Sequence, residues 1–85
     1  MKIIFSQKAW EDHLYWQDKN KKYVQKINKL LKEIARTPFE GSGKPEPLKF
    51  DLLGYWSRRI DREHRLVSKY ENKTISIISC RYHYE

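Results

Sequence analysis

One short segment contains most of the residues that interrupt regular structure. All three prolines and two of the three glycines lie between residues 38 and 47. Proline removes a backbone donor and glycine loosens the backbone, so this segment predicts a long loop. The apolar residues repeat with a different period before and after it. The fold must therefore join a helical half of the chain to a strand-forming half.

The first half predicts a short strand and two helices. Residues 2–5 form a strand-like run, and Ser6 is a suitable N-cap for a helix that reaches about residue 18. Asn20 is suited to cap a second helix that ends at residues 37–38. Apolar residues of the second helix follow at three- and four-residue steps, at Val24, Ile27, Leu31 and Ile34. Together they predict a helical hairpin.

The second half has the alternation and turn residues of a β-meander. Strands are predicted over residues 55–61, 64–70 and 74–84, with hairpin turns at 61–63 and 71–73. With the N-terminal strand, this predicts one α+β domain over residues 1–85. Its two helices pack on one face of a twisted antiparallel or mixed sheet of four to five strands.

The chain is basic. Eighteen Lys and Arg residues against eleven Asp and Glu residues give a formal net charge of +7. This excess favours a polyanionic partner such as nucleic acid, an anionic membrane or an acidic protein segment, although a soluble basic surface has the same composition. No apolar run is long enough to span a membrane, so a cytoplasmic location without membrane association is expected.

The cysteine and histidine content predicts neither a disulfide nor a metal site. Cys80 is the only cysteine, and its place in a predicted strand indicates a buried apolar thiol. His13 is predicted to be structural and His64 to be a turn residue. Three separated histidines and one cysteine match no zinc pattern, and no cofactor is expected.

A carboxylate, several cations and an imidazole are the candidate chemical groups. Glu46 lies between two prolines, which bias its backbone towards an extended form. RNA is cleaved without a metal ion when a base takes the 2′-hydroxyl proton, an acid protonates the leaving oxygen and cations neutralise the phosphorane. The other groups are His83 and the arginines Arg58, Arg59, Arg62, Arg65 and Arg81. A ribonuclease, an RNA-binding module and a solvated basic face all remain open on these residues alone.

Several stretches resemble the YoeB toxins of bacterial toxin–antitoxin systems, within the RelE-like superfamily. They are W-E-D-H-L-Y-W-Q (10–17), K-I-N-K-L-L-K (26–32), R-T-P-F-E-G-S-G-K-P-E-P-L-K (36–49), L-x-G-Y-W-S-R-R-I (52–60), E-H-R-L-V (63–67) and C-R-Y-H-Y (80–84). The resemblance implies a microbial-RNase-like fold and a ribosome-dependent endonuclease. Such an enzyme cuts mRNA in the ribosomal A site and inhibits translation.

The same resemblance implies residue roles. It assigns Glu46 as general base, His83 as general acid, Arg65 as the arginine that stabilises the phosphate, and Tyr84 as the aromatic residue that shapes the site. RNA-binding residues are expected at Lys44, Lys49, Arg59 and Arg81. Strict strand alternation would place His83 and Tyr84 on opposite faces. A shared site for them therefore predicts that the strand ends near Tyr82.

The resemblance also implies partners. These are the ribosome with its mRNA, a cognate YefM-like antitoxin whose acidic segment suits the basic toxin, and a second copy in a homodimer. Two other functions stay open at this stage. A toxin of the same fold could poison DNA gyrase, and a non-catalytic module could bind RNA or the ribosome and block translation.

Overall fold

Two helices cover one face of a five-stranded sheet in the computed structural model, which describes residues 1–82. The elements are β1 (Lys2–Phe5), α1 (Gln7–Lys19), α2 (Lys21–Arg36), β2 (Glu46–Pro47), β3 (Trp56–Arg59), β4 (Arg65–Glu71) and β5 (Thr74–Ser79). A 3₁₀ turn over Phe50–Leu52 lies between β2 and β3. The strand order is β1-β5-β4-β3-β2, so the predicted α+β class is confirmed.

Both predicted helix caps are present. The Ser6 hydroxyl accepts a hydrogen bond from the Ala9 backbone N–H at 3.0 Å, and this starts α1. The Asn20 side chain accepts one from the Lys22 N–H at 3.1 Å, and the same residue ends α1. One asparagine therefore turns the chain between the two helices of the predicted hairpin.

The sheet is mixed because of its first strand. β1 pairs in parallel with β5, whereas the other three strand pairs are antiparallel. A parallel pair needs a long connection, and here it comprises both helices and the three strands β2, β3 and β4. The inner faces of the helices pack on the sheet through α2 residues Ile27, Leu30, Leu31 and Ile34 and strand residues Leu66, Ile75 and Ile77, all buried.

The strands are shorter than predicted, most clearly at the end of β5. The prediction of strand through residue 84 is wrong for the described residues, because the ladder stops at Ser79. The backbone N–H of Cys80 donates to Oδ2 of Asp12 at 3.0 Å, and its carbonyl accepts from the Trp16 indole at 2.8 Å. Side chains of α1 thus form hydrogen bonds with the backbone groups that would otherwise pair with a neighbouring strand.

Smaller corrections apply to the other strands. The runs predicted at 55–61 and 64–70 become Trp56–Arg59 and Arg65–Glu71. The segment at 38–47 is a loop as far as residue 45, but Glu46 and Pro47 form β2 on the edge of the sheet. An edge strand tolerates proline because one side of its backbone needs no partner.

Arg58 is buried at the centre of the loop that connects α2 to β2. Its side chain is 2% exposed, although the sequence placed it among surface cations. The guanidinium donates to the backbone carbonyls of Thr37 at 3.0 Å, Glu40 at 2.8 Å and Ser42 at 3.2 Å. Its Nη1 also lies 3.8 Å from Oε1 of Glu33. Residues 37–45, called the clamped loop below, therefore wrap around a charged core group.

Gly43 lets the clamped loop approach the sheet. Its φ is +82°, and an added Cβ would lie 3.1 Å from both Arg58 Cβ and Leu30 Cδ2. The Gly43 carbonyl accepts the backbone N–H of Arg59 at 2.6 Å. A side chain at this position would push the loop away from β3, so glycine is required by the backbone and by space.

Replacing Arg58 with methionine tests the clamp. The free energy of unfolding is expected to fall by about 3 kcal/mol, because buried carbonyls and Glu33 lose their charged partner. Arg59→Met changes the adjacent exposed arginine and is expected to alter this free energy by about 0.5 kcal/mol or less. Urea denaturation measures both values. Equal losses in the two variants would contradict the clamp.

The clamp also predicts acid sensitivity. Hydrogen bonds from the Ser42 hydroxyl and backbone N–H lower the pKa of Glu33 below its ordinary value of 4.5. A lowered pKa in the folded state stabilises the fold above the unfolded-state pKa, and this is lost as pH falls through the folded-state pKa. Glu33→Gln should therefore lose less stability on acidification than wild type. Urea midpoints measured across acidic pH test this, with Glu40→Gln as an exposed control on the same loop.

Candidate functional site

The strand register brings three predicted site residues to one face of the sheet. Leu66 belongs to the helix-covered core, so its neighbour Arg65 points to the opposite, open face. Arg59 is the cross-strand partner of Arg65 and shares that face. Glu46 pairs with Ser57, two residues before Arg59 on β3. The open face thus carries Glu46, Arg59 and Arg65 on three neighbouring strands.

Arg59 and Arg65 are an unfavourable pair of like charges. They lie directly opposite each other on β3 and β4, and such pairs destabilise a sheet. Arg65 is half-buried, and its Nη1 donates to the Asp61 carbonyl at 3.1 Å, which restrains the guanidinium. An anion between the two side chains would relieve the repulsion. Arginine is well matched to phosphate in this setting because it offers several donors in one plane.

The carboxylate of Glu46 is exposed on a restrained backbone. Pro45 and Pro47 flank it, β2 pairs it with β3, and the clamped loop immediately precedes it. On the other side, Leu48 is buried and its N–H donates to the Tyr55 carbonyl at 2.9 Å. Both ends of β2 are therefore fixed to the protein body, which suits a residue that must meet a substrate in one geometry.

Further cations surround this carboxylate. Lys44 and Lys49 are exposed on the two sides of β2, and their predicted role in binding RNA stays a prediction. Lys69 was not singled out from the sequence. Its Nζ lies 5.7 Å from the centre of the Tyr55 ring, and strand register puts it on the open face. Arg65 and Lys69 are four residues apart on β4, so strand alternation could have identified Lys69 from the sequence.

A cavity adjoins the carboxylate. It has a volume of about 660 Å³ and is lined by residues 46–52, including Lys49 and Phe50. Phe50 is 90% exposed and has a φ of +57°, which is rare for a bulky residue. The walls of the cavity combine an apolar surface with a carboxylate and a cation, so it can accommodate a flat, partly charged group such as a nucleotide.

Arg81 lies on the helix side of the molecule. Its guanidinium carbon is 3.5 Å from the centre of the Tyr15 ring and 4.5 Å from that of Tyr82, and Nη2 donates to the Tyr82 hydroxyl at 2.7 Å. The side chain is half-buried. The structure therefore does not bring Arg81 together with Glu46, Arg59 and Arg65 on the open face. Its RNA-binding role stays a prediction.

Tyr82 ends the described chain beside Arg65. Its carbonyl accepts the backbone N–H of Arg65 at 3.0 Å, and its φ is +65°. His83 and Tyr84, the predicted general acid and site-shaping aromatic, lie outside residues 1–82. Their roles and their shared site stay predictions. A shared site for His83 and Tyr84 required the strand to end near Tyr82, and β5 does end before Tyr82, at Ser79.

The histidines differ from one another in setting. His64 was predicted to be a turn residue, but it lies between the turn at residues 61–63 and β4, it is buried, with 8% exposed, and its ring packs 4.7 Å from that of Trp16. The sequence analysis did not predict that His64 is buried against Trp16. His13 stacks on Trp10 at 5.7 Å, and burial lowers its pKa. Cys80 is fully buried as predicted, and burial raises its pKa to about 12, so the thiol is inert.

Asp61 ties the turn before β4 to the helices. Its Oδ1 accepts the backbone N–H groups of Glu63 and His64, and its Oδ2 accepts the Tyr23 hydroxyl of α2. Burial alone would raise the pKa of Asp61, but these hydrogen bonds outweigh burial and lower it. The ionised carboxylate therefore fixes the turn from which the Arg65 strand begins.

Residues 1–82 contain neither a candidate metal site nor a candidate membrane span. Within residues 1–82, no three His, Cys, Asp or Glu side chains are grouped so that they could hold a metal ion. None of the helices in the same range is long and apolar enough to cross a membrane.

Comparison with known proteins identifies the family. The model of the YoeB-like toxin of bacterial type II toxin–antitoxin systems matches residues 5–84. The chain belongs to this family of toxins. It is 57% identical to Toxin YoeB of Escherichia coli (strain K12) over 84 residues, which cover 99% of this chain and 100% of the relative.

Solved structures of relatives have the same fold. A YoeB–YefM toxin–antitoxin complex from Staphylococcus aureus, described as heterotetrameric, contains a chain with a TM-score of 0.92 and 54% identity. A YoeB dimer from the same organism gives a TM-score of 0.93 at 54% identity. Each alignment covers 99% of this chain and 98% of the other. The resemblance stated from the sequence motifs is therefore confirmed at the level of the family.

The Asp61 contact yields a stability prediction. Tyr23→Phe removes the hydroxyl donor to Asp61, so the free energy of unfolding at neutral pH should fall by about 1–3 kcal/mol. Tyr70→Phe removes a hydroxyl from another half-buried tyrosine that packs on the core and serves as the control. Chemical denaturation measures both. A loss for Tyr23→Phe no larger than that of the control would contradict this role of Asp61.

Proposed function

We propose that this toxin is an endoribonuclease that cuts mRNA in the A site of a translating ribosome and so inhibits translation. The observation that carries the proposal is the presence of Glu46, Arg59 and Arg65 on one open face of the sheet. A carboxylate on the same face as two guanidiniums, of which that of Arg65 is restrained by a hydrogen bond, fits a reaction that removes a proton and builds negative charge on phosphorus. Membership of the YoeB-like family supports the same reading.

The proposed reaction uses the RNA's own 2′-hydroxyl as the nucleophile. Glu46 takes the hydroxyl proton, and the freed oxygen attacks the adjacent phosphorus. Arg65, with Arg59 opposite it, neutralises the phosphorane charge. His83 protonates the 5′-oxygen as the P–O bond breaks, and Tyr84 positions the substrate. The products are a cyclic phosphate, or the 3′-phosphate after its hydrolysis, and a 5′-hydroxyl end. Glu46 and His83 carry out both proton transfers in this reaction, so it requires no metal or cofactor.

The charge distribution supports an RNA substrate. The chain carries a net charge of +7, and Lys44, Lys49 and Arg59 are exposed around Glu46. Phosphate contacts of this kind supply most of the affinity for nucleic acid and do not depend on sequence. The ribosome then determines where on the message cleavage occurs, because the basic face alone reads no base. Arg81 contributes to the overall charge from the helix side.

The partners of its relatives indicate how the toxin is controlled. Relatives from Staphylococcus aureus have been solved in complex with YefM and as a dimer. We infer a YefM-like antitoxin whose acidic segment covers the basic open face and excludes RNA. Charge complementarity would speed this association and make it sensitive to salt. A homodimer of this chain is inferred on the same grounds.

Primer extension on a translated message tests the activity. Wild-type protein should create new 5′ ends within the reading frame, only when the message is being translated. Arg65→Ala should lower the cleavage rate about 100- to 1,000-fold, as expected when a donor to a developing anion is removed. Glu46→Gln should reduce it strongly too, because the amide cannot act as the base. Arg62→Ala and Glu40→Gln change exposed groups of the same types and should cleave like wild type.

Other outcomes would replace this proposal. Unchanged cleavage in the Glu46→Gln and Arg65→Ala proteins would remove the assigned roles. Blocked DNA supercoiling with intact mRNA would identify a gyrase poison. Translation arrest without new RNA ends would identify a non-catalytic RNA- or ribosome-binding inhibitor.

A further inference from the structure

The residues that follow β5 are held by side chains rather than by the sheet. Asp12 and Trp16 of α1 take the backbone N–H and carbonyl of Cys80 at 3.0 and 2.8 Å. The N–H of Tyr82 donates to Nδ1 of His64 at 2.7 Å, and its carbonyl accepts the backbone N–H of Arg65 at 3.0 Å. Every one of these contacts comes from an element distant in sequence. The segment is therefore fixed without being a strand.

His64 is a hydrogen-bond acceptor in this arrangement. A backbone N–H can only donate, so Nδ1 of His64 carries no proton and the neutral ring is protonated on Nε2. The Glu63 carboxylate lies 3.6 Å from Nε2. Its negative charge favours the tautomer that carries the proton on this nitrogen. The tautomer therefore follows from the groups that surround the ring.

The imidazole of His64 packs against aromatic rings of both helices, and the backbone of this residue is fixed by hydrogen bonds. Its ring packs edge-on to Trp16 at 4.7 Å and lies 6.0 Å from the Tyr23 ring, so both helices contact it. Its backbone N–H donates to Oδ1 of Asp61 at 2.6 Å, and its carbonyl accepts the N–H of Ile60 at 2.9 Å. A side chain restrained to this degree can fix the position of whatever it binds.

Tyr82 has a backbone conformation that needs such support. Its φ of +65° is in the left-handed region, which bulky residues rarely adopt. Conformations of this kind persist only when the surrounding structure determines them, and they cluster at functional sites. Here His64 holds the N–H of the residue and Arg65 holds its carbonyl. The backbone of Tyr82 is thereby fixed next to Arg65.

We propose that His64 is a positioning residue for the nuclease reaction. Its Nδ1 fixes the peptide of Tyr82, and thereby the point from which His83 begins. This inference rests on the proposed function, in which His83 is the general acid. His64 itself touches no reacting atom. Its contribution is to fix the backbone of Tyr82, the residue that directly precedes His83, in the geometry that proton transfer requires.

Three substitutions separate this role from simple packing. His64→Asn keeps an acceptor, because its Oδ1 is as many bonds from the backbone as Nδ1 of histidine. His64→Gln moves the acceptor one bond further out, and His64→Leu keeps an apolar side chain without any acceptor. All three remove the imidazole from its contacts with Trp16 and Tyr23, so all three should be destabilised. Only His64→Asn can still hold the Tyr82 N–H.

The expected result is a split between kcat and KM. His64→Leu and His64→Gln should lower kcat for cleavage of ribosome-bound mRNA about 100-fold while KM stays within about twofold, because misplacement of a catalytic group affects the chemical step. His64→Asn should retain most of the wild-type kcat, although it is no more stable than the Gln variant. His13→Leu, which changes a half-buried histidine outside this arrangement, should leave kcat unchanged.

A measurement that does not use activity tests the hydrogen bond directly. Amide hydrogen exchange followed by NMR should show protection of the Tyr82 N–H in wild type and in His64→Asn, and loss of protection in His64→Leu. An unprotected Tyr82 amide in the wild-type protein would overturn the proposal whatever the activity.

The remaining outcomes separate this inference from the proposed function. Wild-type kcat in His64→Leu would overturn the positioning role, as would equal losses of kcat in the Asn, Gln and Leu variants. If the wild-type protein cuts no mRNA in the same assay, the proposed function fails and the catalytic part of this inference fails with it. The exchange data then decide whether His64 still holds the chain end.

Discussion

The buried guanidinium of Arg58 is the contact on which the rest of the site depends. A charge removed from water must be fully paired, and Arg58 achieves this by gathering the backbone carbonyls of Thr37, Glu40 and Ser42. A loop rich in glycine and proline would otherwise have many conformations. Folded around this charge, it delivers Glu46 to the sheet edge in a single one. The catalytic geometry proposed for the open face thus begins in the core.

A second set of contacts fixes the opposite end of the site. Asp61 holds the turn before β4, and His64, which follows that turn, holds Tyr82. Arg65 lies between these two contacts and also binds the Tyr82 carbonyl. The two halves of the face are therefore organised by different parts of the chain: α2 and the clamped loop for Glu46, and the β3–β4 turn with α1 for the C-terminal segment. The sheet register aligns the two halves.

Periodicity was enough to predict both helices and four of the five strands, but not β2, which lies in the segment predicted as a loop. It failed at the end of β5, where Asp12 and Trp16 compete for backbone groups from a helix far away in sequence. It also failed to distinguish Arg58 from Arg59. Two adjacent arginines in a strand point in opposite directions, and only the position of the helices decides which one is buried.

The candidate site could be predicted only in part, because its grouping depends on how the strands pair. The motifs identified Glu46, Arg59 and Arg65, but cross-strand partners depend on register, which single-sequence patterns do not contain. The structure supplied that register and grouped the three residues. His64 was missed because a polar residue after a turn is usually exposed, and its burial arises from aromatic residues on both helices.

The parallel pairing of β1 with β5 has a consequence for the folding of this toxin. β5 lies between β1 and β4 in the sheet, yet it follows all the other strands of residues 1–82 in chain order. Until it pairs, β1 has no neighbour and the apolar faces of both helices lack the strand that completes their core. Long-range pairing of this kind forms late and slowly. The strand that joins the two halves of the sheet is therefore also the one that completes the core, so β1 and the helices depend on β5 for their final packing.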